Sequence, residues 1–453
     1  MCYNNRLKGV DAVKKRILFA MLFLLTALLF GGCTMRTVEQ MYALPKRSEE
    51  FNEMQSAIDT AMYGMTYASP QSGENRQTVQ MADLNGDGMD EIIVFAKGAT
   101  EKPLQVLIFT QDENGRVRTM ETIGSNGLAF EQVEYVDFDN QPGCELVVGI
   151  RVSDQIQRSV SVYTFQNNDA ELMLLNGYTK FITCDLDGNG LSELMVFRQG
   201  EVETERATAV LYQTQNNRIE RSVELSLSRG AEDIYRIMQG KLQSGNSAVY
   251  VASASDTDAM VTDVLTLQSG RFVNLTFSGE VDTSIPTLRN FYVYSDDIDG
   301  DGIVEIPTTV TMKPLSSWQN EEDRHFLRWY SLDENGWEYN KLFTFHNFMG
   351  GWYLQLHSSW ASRITVEQND GVYRFYLWDE SYQVATSLFT LYVFNGSNRD
   401  EEAVKDGRFA LYRTEGIAYA ASLNAAAAEY DITEDYLIES FQLIRQDWQT
   451  GET

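Results

Sequence analysis

Four short segments of the chain carry acidic and amide side chains at the same alternating positions. Each begins with aspartate, has Asp or Asn at position 3 and ends with glutamate at position 9. Oxygens from positions 1, 3 and 5 can converge on one point, together with the backbone carbonyl of position 7, and calcium takes six to eight such ligands. The pattern therefore predicts cation-binding loops, with calcium as the expected ion. The four loops are residues 83–91, 137–145, 185–193 and 297–305.

The glutamate at position 9 distinguishes these loops from an EF-hand. An EF-hand loop closes with a bidentate glutamate at position 12. Position 12 here holds Val94, Val148, Val196 and Thr308, none of which can ligate through a carboxylate. An apolar run such as residues 92–95 follows each of the first three loops directly. We therefore predict a shorter calcium loop that lies between two strands.

The loops recur in phase with a longer repeat. Their starts at 83, 137 and 185 are 54 and 48 residues apart, and the start at 297 lies 112 residues further on. That interval is two periods of 56 residues, and it contains a further unit whose loop, 241–245, has no acids. Asn114, Asn168 and Asn216 each mark a turn 31 residues after a loop start. Four antiparallel strands per unit predict a mainly β fold, a β-propeller of about five four-stranded blades over residues 76–345.

Calcium loops flanked by strands in this phase resemble the FG-GAP and VCBS repeats of integrin α-chain propellers and bacterial surface proteins. The phenylalanine-glycine and glycine-alanine-proline signature of that family is missing here, and glutamate replaces its usual aspartate at position 9. The resemblance implies structural calcium, with no ion in the loop that begins at Lys241. It leaves loop 137–145 open, because Gln141 and Pro142 occupy positions 5 and 6. The implied ligands are Asp83, Asn85, Asp87 and Glu91 for one ion, Asp185, Asp187, Asn189 and Glu193 for a second, Asp297, Asp299, Asp301 and Glu305 for a third, and Asp137, Asp139, Gln141 and Glu145 in the open loop.

The N-terminal segment has the pattern of an export signal. Three basic residues, 14–16, precede 14 uncharged residues, 17–30, and Gly31-Gly32-Cys33 follows. This apolar run suits the core of a signal peptide better than a membrane span. The last three residues resemble the lipobox of bacterial lipoproteins, which implies lipidation of Cys33; an uncleaved anchor and cleavage without lipid stay open. We therefore expect a signal peptide and lipobox at 1–33, a tether and short helix at 34–75, and a location on the extracytoplasmic face of the cytoplasmic membrane.

Charge and cysteine content limit the partners. The formal net charge of −29 repels phosphate backbones, so nucleic acid is not an expected partner. Outside the targeting region the cysteines are Cys144 and Cys184. An extracytoplasmic location permits a disulfide between them, but buried free thiols are the expected state.

The repeat ends near residue 350. Residues 350–448 contain strand-like runs and a final helix that Thr433 can cap, with Glu434 and Asp435 in its first turn. These features predict a separate C-terminal α+β domain. The alternative is that its strands form one or two further blades.

No catalytic set can be assembled from the spacing of nucleophiles, bases and acids. The histidines are His325, His346 and His357, which lack zinc-motif spacing and are expected to be structural. We therefore predict that the chain is not an enzyme but a binding or scaffold module for an envelope protein or glycan. The alternative is an envelope carbohydrate-active enzyme, a lyase or hydrolase, on a propeller scaffold. Aromatic side chains that could contact a partner, although core packing is their expected role, are Trp318, Trp352, Trp360 and Trp378.

Overall fold

The computed structural model describes residues 49–445, apart from short gaps at 113–115, 154–156, 167, 201–205, 216–217, 256–258, 291, 314–324, 361–362 and 380–383. The predicted signal peptide with Cys33, most of the tether, the turns at Asn114 and Asn216, and Trp318 lie outside the described residues. The chain divides into two compact units between residues 59 and 60. All the sheets of the described residues belong to the second unit.

Helices are few and short. The helix predicted after the tether is present as α1, Glu49–Ala61. Near the C-terminus are α2, Arg399–Glu402, and α3, Glu434–Ser440. Within the described ranges, no helix is long and apolar enough to cross a membrane. Short 3₁₀ turns are found at Ala231–Asp233, Ile285–Thr287, Ser358–Trp360 and Ala425–Tyr430.

Antiparallel sheets built in chain order make up the rest of the described structure. The first sheet contains β1 Met65–Tyr67, β2 Val79–Ala82, β3 Glu91–Gly98, β4 Leu104–Gln111 and β5 Val117–Ser125. The second contains β6 Ala129–Val136, β7 Glu145–Arg151, β8 Arg158–Gln166 and β9 Asp169–Tyr178. The third contains β10 Lys180–Cys184, β11 Glu193–Gln199, β12 Ala207–Gln215 and β13 Arg218–Ser226.

Three further sheets follow. The fourth contains β14 Ile234–Lys241, β15 Ser247–Ser255, β16 Ala259–Gln268 and β17 Arg271–Asn274. The fifth contains β18 Ile306–Thr311, β19 His325–Leu332, β20 Glu338–Asn347, β21 Trp352–Leu356 and, from the end of the chain, β27 Phe441–Leu443. The sixth contains β22 Ile364–Asn369, β23 Val372–Asp379, β24 Val384–Asn395, β25 Phe409–Arg413 and β26 Ile417–Leu423.

This sheet pattern confirms the prediction of a mainly β chain with repeated four-stranded units. The unit without acids is present as the fourth sheet, whose β14 and β15 flank the loop that begins at Lys241. The unit of the last acidic loop differs from the prediction. Its first strand is reduced to one bridge between Asp296 and Glu305, and the fifth sheet instead gains β21 and β27.

Apolar side chains fill the space between consecutive sheets. The strand after each of the first three acidic loops is buried on both faces, because it lies between two neighbouring sheets. Between the first two sheets, the rings of Phe95 and Phe130 meet edge to face, 5.1 Å apart. Between the second and third, Tyr178 and Phe181 repeat that geometry at 5.1 Å. Burial in these layers fixes the register of the strands whose loops carry the acids.

The described C-terminal strands continue this order. The predicted division at 350 falls between β20 and β21, two paired strands of the fifth sheet. Trp352 and Phe375, from the fifth and sixth sheets, belong to one buried apolar cluster. The predicted cap of the last helix is confirmed, because Thr433 Oγ1 accepts a hydrogen bond of 3.1 Å from the backbone N–H of Tyr436.

Candidate metal centre

Backbone N–H groups hold the first aspartate of each fully patterned loop. In loop 185–193, one carboxylate oxygen of Asp185 accepts from Gly188 N–H at 2.8 Å, and the other accepts from Gly190 N–H at 3.0 Å. The aspartates at 83 and 297 accept from the same two positions of their own loops. The glycines have positive φ, a backbone conformation that costs other residues free energy. The sequence spacing thus produces the same loop conformation three times.

The position-9 glutamate lies at the base of each loop, at the junction with the following strand. All four of these side chains are buried. In each, Oε2 accepts a hydrogen bond from the position-2 N–H, at 3.0 Å for Glu91, 2.8 Å for Glu145, 2.7 Å for Glu193 and 3.2 Å for Glu305. Burial, opposed in part by this hydrogen bond, raises the pKa of Glu145 and of Glu193 to about 7. Such buried carboxylates are stabilised by a cation.

Three loops bring carboxylate oxygens together. One oxygen from each member of a set lies within 4.8 Å of the others, in Asp137–Asp139–Glu145, Asp185–Asp187–Glu193 and Asp297–Asp299–Glu305. Glu305 Oε1 is buried and has no hydrogen-bond partner. Burial raises the pKa of Glu305 to about 8. An orphaned buried oxygen beside two aspartates fits the inner ligand of a bound cation, so these residues suit the predicted ion.

The first loop differs from the other predicted sites because position 3 is an amide. Asn85 Oδ1 accepts from the backbone N–H of Asp87 at 2.9 Å. Its NH₂ group donates to Glu91 Oε1 at 3.0 Å and to Asn168 Oδ1 at 2.9 Å. The amide therefore satisfies the glutamate that the sequence assigns to calcium.

The sequence leaves open whether the second loop, 137–145, binds an ion. This loop keeps its carboxylates together but lacks one of the two backbone hydrogen bonds that hold the first aspartate. Asp137 Oδ1 accepts from the N–H of Asn140 at 2.7 Å. Pro142 has no N–H group, so the position-6 hydrogen bond of the other loops cannot form here. The loop retains Asp137, Asp139 and Glu145 as a set of three.

Lys341 approaches the last loop and was missed by the sequence reasoning. Its ammonium group contacts Asp301 Oδ2 and lies 4.0 Å from Glu305 Oε1. The hydrogen bond from Lys341 lowers the pKa of Asp301. Lys341 lies on β20, two strands away from the loop, and no local signal in the sequence connects the two.

Hydrogen bonds also join neighbouring loops. The position-8 N–H of one loop donates to the position-1 carbonyl of the loop before it. Cys144 donates to Asp83 at 3.1 Å, and Ser192 donates to Asp137 at 2.7 Å. Val304 donates to Lys241 at 3.0 Å, so the loop without acids retains this link. This backbone link joins loops 83–91, 137–145 and 185–193 in one row and joins the loop that begins at Lys241 to loop 297–305. Between these two groups, Gln239 Nε2 on β14 donates to the carbonyl oxygen of Asp185 at 3.2 Å.

Two cysteines, one histidine and one tryptophan among the other candidate residues have structural contacts. Cys144 and Cys184 are free thiols, and the Cys144 thiol contacts the carbonyl oxygen of Asp83 at 3.3 Å. The His346 ring stacks on Tyr353 with 4.9 Å between centroids, and burial lowers its pKa to about 3. Trp352 is fully buried, in agreement with its expected packing role.

Comparison with family models finds no match, and no curated protein matches the chain. Solved structures similar to it include rhamnogalacturonan lyase YesW, with 12% identity, coverage of 71% of each chain and a TM-score of 0.28. A Bacillus licheniformis rhamnogalacturonan lyase has 13% identity, coverage of 71% of this chain and 72% of the other, and a TM-score of 0.28. A putative 6-phosphogluconolactonase from Bacteroides uniformis has 12% identity, coverage of 67% and 82%, and a TM-score of 0.28. Enzymes thus stand among the similar structures, which contradicts the prediction that the chain is not an enzyme, and that prediction is withdrawn.

Proposed function

We propose that this protein is a calcium-stabilised β-propeller, held by a lipid on Cys33 at the extracytoplasmic face of a bacterial cytoplasmic membrane, that engages a glycan of the cell envelope. The observation that carries the calcium role is the buried position-9 glutamate beside aspartates of the same loop, as in Asp185–Asp187–Glu193. The propeller proposal rests on sheets that follow one another in chain order with apolar layers between them. The lipid anchor rests on residues 14–33.

Calcium is the ion that this donor set favours. The donors are carboxylate, amide and carbonyl oxygens, which hard cations prefer. Magnesium demands a near-ideal octahedron and retains several waters, whereas calcium tolerates the irregular geometry that a short loop offers. When bound, calcium supplies positive charge that neutralises the clustered carboxylates. The loop holds those carboxylates by its own N–H groups, so the ion fixes the turn between two strands of a sheet.

A calorimetric titration tests the calcium proposal. We expect the metal-stripped full chain, in detergent, to bind three calcium ions, in loops 83–91, 185–193 and 297–305. Replacement of Glu193 by Gln should remove one of these sites, because an amide adds no charge and binds the ion weakly. Glu439→Gln, at a residue outside the loops, is the matched control. The proposal fails if the stripped protein binds no calcium.

A groove at the opposite end of the sheets favours an acidic glycan as the partner. A cavity of about 520 Å³ is lined by Arg158, Asn176, Tyr178 and Arg198, among other residues. Arg198 lies five residues along β11 from Glu193, which places the groove about 17 Å from the acidic loops. Guanidinium groups suit the carboxylates of uronic-acid sugars. Such a sugar would exchange with the present partners of these groups, because Arg158 lies 3.9 Å from Glu232 and Arg198 lies 3.4 Å from Glu224. The NH₂ group of Asn176 donates to Tyr212 Oη, which leaves its amide oxygen for hydroxyl groups.

The same groove makes an envelope carbohydrate-active enzyme, a lyase or hydrolase, the second candidate. Polygalacturonate, with a neutral glucan as control, separates the two candidates. Saturable binding without new chain ends supports a binding module, whereas new unsaturated or reducing ends support an enzyme. We expect the double variant Arg158→Ala/Arg198→Ala to lose at least tenfold in affinity or rate, while Arg374→Ala changes neither. Equal behaviour of the double variant and the control would contradict the groove assignment.

A further inference from the structure

We propose that the ammonium group of Lys341, on β20, competes with calcium for the carboxylates of loop 297–305. The inference rests on the proposed calcium function and names how one of its sites is regulated. The Lys341 ammonium group pairs with Asp301 Oδ2 and lies 4.0 Å from Glu305 Oε1. The Lys341 side chain is 17% exposed and that of Glu305 is fully buried, whereas Asp301, which the ammonium group contacts, is 37% exposed. The side of the ammonium group that faces Glu305 is therefore shielded from water. A calcium ion that uses Asp301 and Glu305 must displace this ammonium group.

A β-bulge places Lys341 at the loop. Along β19 and β20, Trp329 pairs with Leu342 and the next residue, Tyr330, pairs with Asn340, which leaves Lys341 as the extra residue. Tyr330 also pairs with Ile306, the residue that follows Glu305. A bulge redirects the side chain of its extra residue. The bulge therefore lies in line with the position-9 glutamate, two strands away.

The first two sheets have the same bulge at the same place. In the first sheet the extra residue is Met120, opposite the step from Ile108 to Phe109, and Phe109 pairs with Ile92, which follows Glu91. In the second sheet the extra residue is Met173. Both methionines pack against apolar clusters. The bulge thus recurs at the same place in these sheets. Its extra residue is a methionine in the first two sheets and a lysine in the fifth.

The charge of the last loop accounts for this lysine. Loop 297–305 has carboxylates at all of positions 1, 3, 5 and 9, whereas each of the other acidic loops has three carboxylates at these positions. Without metal, a fourth carboxylate adds repulsion to a cluster in which Glu305 is buried and Asp299 and Asp301 are exposed. Lys341 offsets that charge. The expected consequence is a loop that stays formed without calcium and binds calcium more weakly than its four carboxylates alone would.

The test is a calcium titration of the full chain carrying Lys341→Met, the residue type that the equivalent bulges contain. We expect the affinity of one site to rise about tenfold or more, while the other sites keep their affinities. Lys405→Met removes an exposed lysine that pairs with Glu402, and it controls for the loss of one positive charge. Adding Glu305→Gln to Lys341→Met should abolish the gain, which assigns the gain to this loop. Lys341→Gln is a second variant in case methionine disturbs folding.

The outcomes separate this inference from the calcium proposal. If the wild-type chain and Lys341→Met bind calcium with the same affinities, the competition by Lys341 is wrong and the calcium function stands. Weaker binding in both correctly folded Lys341 variants also overturns the competition, because the lysine would then support the ion. If neither the wild-type chain nor any variant binds calcium, the proposed function itself fails, and the competition fails with it.

Discussion

Removal of divalent cations is expected to lower the thermal unfolding midpoint of this protein by about 10 °C or more. A ligand that binds the native state at a concentration 100 times its Kd stabilises that state by about 2.7 kcal/mol per site. Three such sites contribute about 8 kcal/mol, and each kcal/mol shifts the midpoint of a chain of this size by a degree or more. The physical source is the buried glutamates, which lose the charge of the ion when the metal is removed; beside Glu305, Lys341 offsets part of this loss.

The measurement is a pair of thermal scans, one in excess calcium and one in chelator, followed by restoration of calcium to the chelated sample. The midpoint should recover on restoration, and magnesium at the same concentration should restore less of it. The triple variant Glu91→Gln/Glu193→Gln/Glu305→Gln should show nearly the same midpoint in both buffers. If the unfolding midpoint of the wild-type chain does not change with calcium, the loops are turns that do not bind the metal.

Gly86→Ala is expected to destabilise the calcium-loaded protein by about 3 kcal/mol or more. Gly86 has φ of +75°, and a Cβ at this position would lie 2.3 Å from the carbonyl carbon of Pro142. The left-handed conformation alone costs alanine about 1–2 kcal/mol. Overlap with a neighbouring backbone adds about 1–3 kcal/mol. The cost arises because the first two acidic loops pack directly against each other.

Gly188→Ala is the matched control for this prediction. Gly188 occupies the same loop position with φ of +76°, and nothing lies within 4 Å of the Cβ that alanine would add. The Gly188→Ala variant should therefore lose only the stability that the left-handed conformation costs alanine, about 1–2 kcal/mol. Equilibrium urea unfolding of both variants in excess calcium gives the comparison. Equal losses would show that loops 83–91 and 137–145 are not in contact in solution.

Patterns within one unit could be predicted because their physical causes are local. The aspartate at position 1 of a loop accepts hydrogen bonds from N–H groups three and five residues further along. The residues of loop 185–193 therefore set the conformation of the loop by themselves. The unit whose loop begins at Lys241 was detectable without any acid, because the repeat period and its strand-like runs indicated it. The cap at Thr433 is likewise set by residues of a single turn.

Contacts between distant parts of the chain depend on the tertiary structure alone. The approach of Lys341 to Asp301 and Glu305 depends on a bulge in β20 and on strand pairing across the fifth sheet. The use of β27 to complete that sheet joins segments almost 90 residues apart, and no periodicity records such a pairing. The link between Asn85 and Asn168 arises in the same way, when two sheets bring separate turns together. The sequence by itself therefore determined where a cation can bind, whereas packing between strands and sheets decided which side chains compete for each loop.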